Sequence, residues 1–125
     1  MKPYLFLVPL LALTACASTP EAGTARRAAF DKPATVVQDA ATHALSQTGF
    51  EIEKSEPGYL QGFRPHKLGF FVGSGGETIG VWIESDGATR TNVKVDTARS
   101  FVGIVGQKEW NDDVIAAMRK ELETP

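Results

Sequence analysis

Between Pro33 and Glu123 the spacing of apolar residues changes from helical steps to alternation and back, and few architectures accommodate that order. Val37, Ala40, Ala41, Ala44, Leu45 and Thr48 recur at three- and four-residue steps, one stripe along a helix from about Pro33 to Thr48. Asp31 can cap this helix, with Pro33 tolerated in its first turn, and Gly49 stops it. Phe50-Glu51-Ile52-Glu53-Lys54 then alternates apolar and polar, the period of a half-buried strand. After a turn at Glu56-Pro57-Gly58, Tyr59 to Arg64 forms a second strand, with Tyr59, Gln61 and Phe63 on one face and Leu60 on the other. Ile79 to Glu84 alternates again with Ile79, Val81 and Ile83 inward, and Ser85-Asp86-Gly87 has the chemistry of a hairpin turn. Thr89 to Thr97 returns with Val93 and Val95 inward and Asn92, Lys94 and Asp96 outward. Last, Trp110, Val114, Met118 and Leu122 fall on one side of a helix from about Lys108 to Glu123, with Arg119 and Lys120 near its end.

Strands with one apolar face and short turns imply an antiparallel sheet, and two amphipathic helices suffice to cover that face. The pattern predicts an α+β two-layer sandwich, about four strands with both helices on one face, in the order α-β-β-β-β-α. At 125 residues, 42% hydrophobic and 22% charged, the chain has the size and balance of one such domain, placed at residues 30–125. No internal repeat is visible.

The start of the chain is of another kind. Lys2 precedes Tyr4 to Leu13, an unbroken apolar run that is shorter than the roughly 20 residues a membrane-spanning helix needs. It has the length and flanks of a signal-peptide core, so residues 1–15 are expected to be a leader. The Leu13-Thr14-Ala15-Cys16 sequence that follows resembles the bacterial lipobox, and it holds the only cysteine of the chain. That resemblance implies thioether attachment of a diacylglyceryl group to Cys16, cleavage before it, and anchoring in a membrane. An ordinary secretory leader cut after Ala15 or Ala17 is the alternative. Ala17 and Ser18 follow the cysteine, with no Asp at the next position, which by analogy with enterobacterial sorting implies the outer membrane, facing the periplasm.

Ser18 to Ala29 is small and polar, with Pro20 and Gly23, and reads with Cys16 as a flexible tether over residues 16–29. Arg26 and Arg27 in it are solvated residues or contacts to anionic head groups. The net charge is −2, and only Lys2 of the 13 Lys and Arg precedes Cys16, so losing the leader makes the chain one unit more negative. Nucleic-acid binding, which rests on clustered cations neutralising phosphates, is disfavoured.

The run Phe30-Asp31-Lys32-Pro33, then a helix, Gly49-Phe50-Glu51-Ile52, paired strands and a Trp-led last helix, resembles small Gram-negative lipoproteins with a BamC-like domain. The resemblance spans about Phe30 to Leu122 and implies an accessory part in outer-membrane assembly. The Gly-rich insert from Gly69 to Gly80 departs from that pattern.

Candidates for chemistry are few. The Gly-rich segment lacks the Lys-Ser or Lys-Thr pair and the helix start of a phosphate loop. It reads as a hairpin connection whose glycines supply positive φ, or Phe70, Phe71 and Val72 extend the second strand and pack in the core. Alternatively, Phe70, Phe71 and Val72 form an exposed apolar tip for lipid or a partner protein. His43 and His66 have no further ligands at metal spacing, and Ser74 between Gly73 and Gly75 lacks the spacing of a nucleophile elbow. Glu84 and Asp86 are close in sequence, but an acid–base role requires a cleft to shift their pKa values. Trp82, opposite Val81 and Ile83 and beside Lys94, is expected to be partly exposed, where it can anchor a partner. The expectation is a non-enzymatic envelope lipoprotein without cofactor or metal, whose sheet face or Gly-rich loop contacts another envelope component. The rival is an enzyme or small-molecule binder with its site near Arg64, His66 and Trp82.

Overall fold

A computed structural model describes residues 19–68, 71–99 and 109–123; the leader, Cys16 and Phe70 lie outside the described residues. A short 3-10 turn (Ala22–Thr24) is followed by β1 (Arg26–Phe30), α1 (Ala34–Gln47), β2 (Glu51–Glu56), β3 (Tyr59–Leu68), β4 (Phe71–Ser85), β5 (Thr91–Arg99) and α2 (Asn111–Glu123). The class is α+β, with two helices and an antiparallel sheet of five strands in the order β1-β5-β4-β3-β2.

The fifth strand is the difference from the sequence pattern. β1 comes from residues read as tether, and it pairs with β5 from Arg26↔Val95 to Phe30↔Thr91. Its sequence, RRAAF, shows no apolar alternation, because an edge strand that contributes only Ala28 and Phe30 to the core needs none. Adding β1 beyond β5 forces the chain to cross the whole sheet before β2. The 14 residues of α1 make a helix of about 21 Å, close to the roughly 19 Å of four strand spacings.

The expected stripe of α1 is the buried one: Val37, Ala40, Ala41, Ala44 and Leu45. Three of these are alanines, which let the helix lie close to Leu60, Ile79, Val81, Ile83, Val93 and Val95 of the sheet. α2 closes the same core with Val114, Ile115 and Met118, and Trp110 and Leu122 pack at its margin. Each fully buried Val, Leu or Ile contributes about 1.5–3 kcal/mol. Pro33, not Asp31, takes the cap position of α1, and no side chain caps it. Asp31 sits too far back to reach the first turn, whose carbonyl bonding begins at Val37 N–H to Pro33 O. Gly49 ends the helix in the left-handed region (φ +91°), where other residues are strained.

β3 and β4 run well past their expected ends. The register passes from Tyr59↔Trp82 through Arg64↔Glu77 to Leu68↔Phe71, with an irregularity between Pro65 and Lys67. Most of the Gly-rich segment is therefore strand, not loop. Its glycines at 76 and 80 are not in the positive-φ region, which among the described residues is reserved to Gly49, Gly58 and Gly87. They are small for a spatial reason given below. β4 pairs with β5 only as far as Glu77↔Arg99, so 65–68 and 71–76 form a two-stranded arm to which no third strand pairs among the described residues. At the other edge, every residue of β2 is exposed, Ile52 included, although Gln38 of α1 donates to the Glu56 carbonyl at 2.8 Å.

Candidate interaction face

Alternation along the strands puts two different chemistries on the two sides of the sheet. On the helix side, Arg64 extends under α2. Its guanidinium lies 4.6 Å from the Trp110 ring centroid, and its Nε donates to the Thr48 carbonyl at 3.2 Å. Trp110 meets the edge of Phe50 at 5.9 Å and 88°. Thr97 Oγ1 donates to Asn111 Oδ1 at 2.6 Å and accepts the Trp110 N–H at 3.0 Å. These contacts fix the start of α2 against the ends of α1 and β5.

The opposite side has no covering layer of helices. Tyr59, Gln61 and Phe63 of β3, Trp82 of β4, Asn92, Lys94 and Asp96 of β5, and Arg27 and Ala29 of β1 face outward there, all but the β1 residues half-buried. Tyr59 and Trp82 are cross-strand partners whose rings stand 5.3 Å apart at 45°. The Tyr59 hydroxyl donates to Gln61 Oε1 at 2.8 Å, and Gln61 Nε2 donates to Glu53 Oε2 at 3.0 Å. Burial, then the charges of Glu56 and Glu53, push the Tyr59 phenol above its ordinary value, which keeps it a neutral donor.

The glycines explain how aromatic rings lie flat on this face. A Cβ at Gly80 would stand 2.9 Å from Trp82 Cη2 and 2.8 Å from Pro20 Cβ. A Cβ at Gly76 would stand 2.8 Å from the Phe63 ring and 2.5 Å from the Arg64 carbonyl oxygen. Each missing side chain is replaced by a neighbour's ring. Pro20 belongs to a strap, residues 19–25, that runs over the same face and is held by the Glu21 N–H donating to Asp96 Oδ2 at 2.7 Å. Beside the strap, Arg27, Ala28, Ala29, Glu84, Asn92, Val93 and Lys94 line a depression of about 430 Å³, open because Ala29 is short. Lys94 Nζ lies 3.7 Å from Glu84 Oε1 within it.

Trp82 is thus partly exposed beside Lys94, where alternation put it. Arg64 and Trp82 lie on opposite faces of the sheet, so the structure does not bring together Arg64, His66 and Trp82; the His66 side chain lies outside the described residues. Phe71 and Val72 occupy the last paired positions of the β3–β4 arm, opposite Leu68 and Lys67; their side chains also lie outside the description. Ser74 lies within the first part of β4, not at a strand–turn–helix corner. Glu84 and Asp86 each face a different cation, Lys94 and Arg90, both at 3.7 Å. His43 is exposed, with Nδ1 2.9 Å from Glu121 Oε1 across the helix pair. Pro20, Glu21 and Gly80 carry no signal for this face in the sequence, because their partners are fixed only by the tertiary fold.

Among the described residues no helix is long and apolar enough to cross a membrane, and no group of His, Cys, Asp and Glu is placed to hold a metal. No family model and no curated protein matches the chain.

Proposed function

We propose that this chain is a non-enzymatic lipoprotein of the cell envelope, anchored through Cys16 in the outer membrane and facing the periplasm, that contacts another envelope component. The observation that carries the interaction reading is the half-buried aromatic face of Tyr59, Phe63 and Trp82, which has no layer of helices over it. Such a face, apolar at its centre and polar around it at Gln61, Asn92 and Lys94, suits recognition better than a soluble surface. The arm that ends at Phe71 and Val72 offers a second contact surface. The anchor rests on Leu13-Thr14-Ala15-Cys16 and the apolar run before it. Engagement of Glu84 and Asp86 by separate cations supports a module without acid–base chemistry. The likeness to BamC-like lipoproteins supports the same location and an accessory role.

Palmitate labelling of wild type and Cys16→Ser tests the anchor: label in the wild type alone is expected, and equal labelling overturns it. A photo-crosslinking residue in place of Trp82, activated in intact cells, is expected to give adducts to lipid or protein. No adduct overturns the interaction reading.

A further inference from the structure

We infer that the component met by the Trp82 face is the lipid surface of the membrane in which the chain is anchored, an inference that rests on acylation of Cys16. Pro20 is docked over Gly80 of β4, the central strand of the sheet, and Cys16 lies only four residues before it. Fully extended, those residues span at most about 14 Å. To bring the helix side to the bilayer, the connection would have to pass two strands, about 10 Å, and then a helix layer of about 10 Å more. The link is too short for that, so the bilayer meets the strap side of the sheet or an edge.

Chemistry chooses the face over the edges. β2 at one edge presents Glu51, Glu53 and Glu56, and the outward backbone of both edge strands prefers water to lipid. The strap side instead presents Trp82 and Tyr59, ring systems that prefer the boundary between head groups and acyl chains. Around them Glu21, Glu53, Glu84 and Asp96 stand with, among the described residues, the cations Arg27 and Lys94, so the face has no cationic excess to select anionic lipid. Its surface is zwitterionic lipid. The strap then serves as a spacer of fixed length that lays the sheet flat on the bilayer.

The test uses the full acylated protein, with acylation verified by mass, in vesicles of zwitterionic lipid brominated near the glycerol end of the acyl chains. Trp110→Phe leaves Trp82 as the only tryptophan. Roughly two-fold or greater quenching of its emission is expected, with the same quenching when anionic lipid is added. Should that variant fold poorly, the difference between wild type and Trp82→Phe isolates the same signal. Acylated, membrane-bound protein with unquenched Trp82 overturns the orientation alone. So does protection of Trp82 by a crosslinked protein in intact cells. Protein without acyl mass on Cys16 overturns the anchor itself, and this inference with it.

Discussion

Arg64 holds its guanidinium 4.6 Å from the ring centroid of Trp110, while its Nε donates to the carbonyl of Thr48 at 3.2 Å. One side chain from β3 therefore ties together the end of α1 and the start of α2. Removing it costs both a cation–π contact and a partner for a helix-end carbonyl. Arg64→Ala is expected to lower unfolding free energy by about 2 kcal/mol in urea titration, and Arg64→Lys to recover only part of it. A loss below about 0.5 kcal/mol would mean the clamp contributes little beyond an ordinary surface contact.

Gly80 is filled from above by Trp82 and Pro20, at 2.9 and 2.8 Å from the place a Cβ would take. Gly80→Ala must displace one of them. The expected result is a loss of about 1–3 kcal/mol and a red shift of Trp82 emission as the indole moves toward water. Unchanged emission and stability would show that the ring and the strap do not rest on that glycine.

Leu60 and Ile52 are apolar residues on neighbouring strands with opposite surroundings, at 0% and 36% exposure. Leu60→Ala is expected to cost about 2–5 kcal/mol, and Ile52→Ala less than about 0.5 kcal/mol. Chemical denaturation of the pair measures how sharply the core ends at the β2 edge; similar costs would contradict it.

Tyr59 titrates above its ordinary value of 10.0, chiefly through burial. Because the folded state raises this pKa, the contribution to stability is complete below pH 10.0 and is lost as pH rises through the folded value. The only other tyrosine is Tyr4, so a chain that begins at Cys16 reports Tyr59 alone by tyrosinate absorbance. A midpoint above 10.0 is expected, and one at or below it contradicts the burial of the phenol.

Periodicity made the helices and the β4–β5 hairpin legible because their inward residues are the core itself: Val37, Ala41 and Leu45, Val81 and Ile83, Val93 and Val95. The same alternation set Trp82 and Tyr59 on the outward face. β1 was illegible since Arg26, Arg27, Ala28 and Ala29 have no strand pattern of their own and gain one only from β5. The Gly-rich part of β4 misled for the converse reason: glycine weakens a strand in isolation, and the rings of Phe63 and Trp82 that fill the gaps belong to other positions. Likewise, Arg64 reads as the end of a strand and a candidate site residue until its ring partner Trp110, far along the chain, is in place.

Among the described residues the first strand of this domain pairs only with the last one, and Arg26 of β1 grips Asp112 of α2 at 2.9 Å across 86 residues. Nothing emerging earlier can seat it. A chain that emerges N-terminus first therefore holds its opening strand unpaired until nearly all of it has appeared. Only when β5 and α2 follow can the sheet close over its first strand and Asp112 take up Arg26.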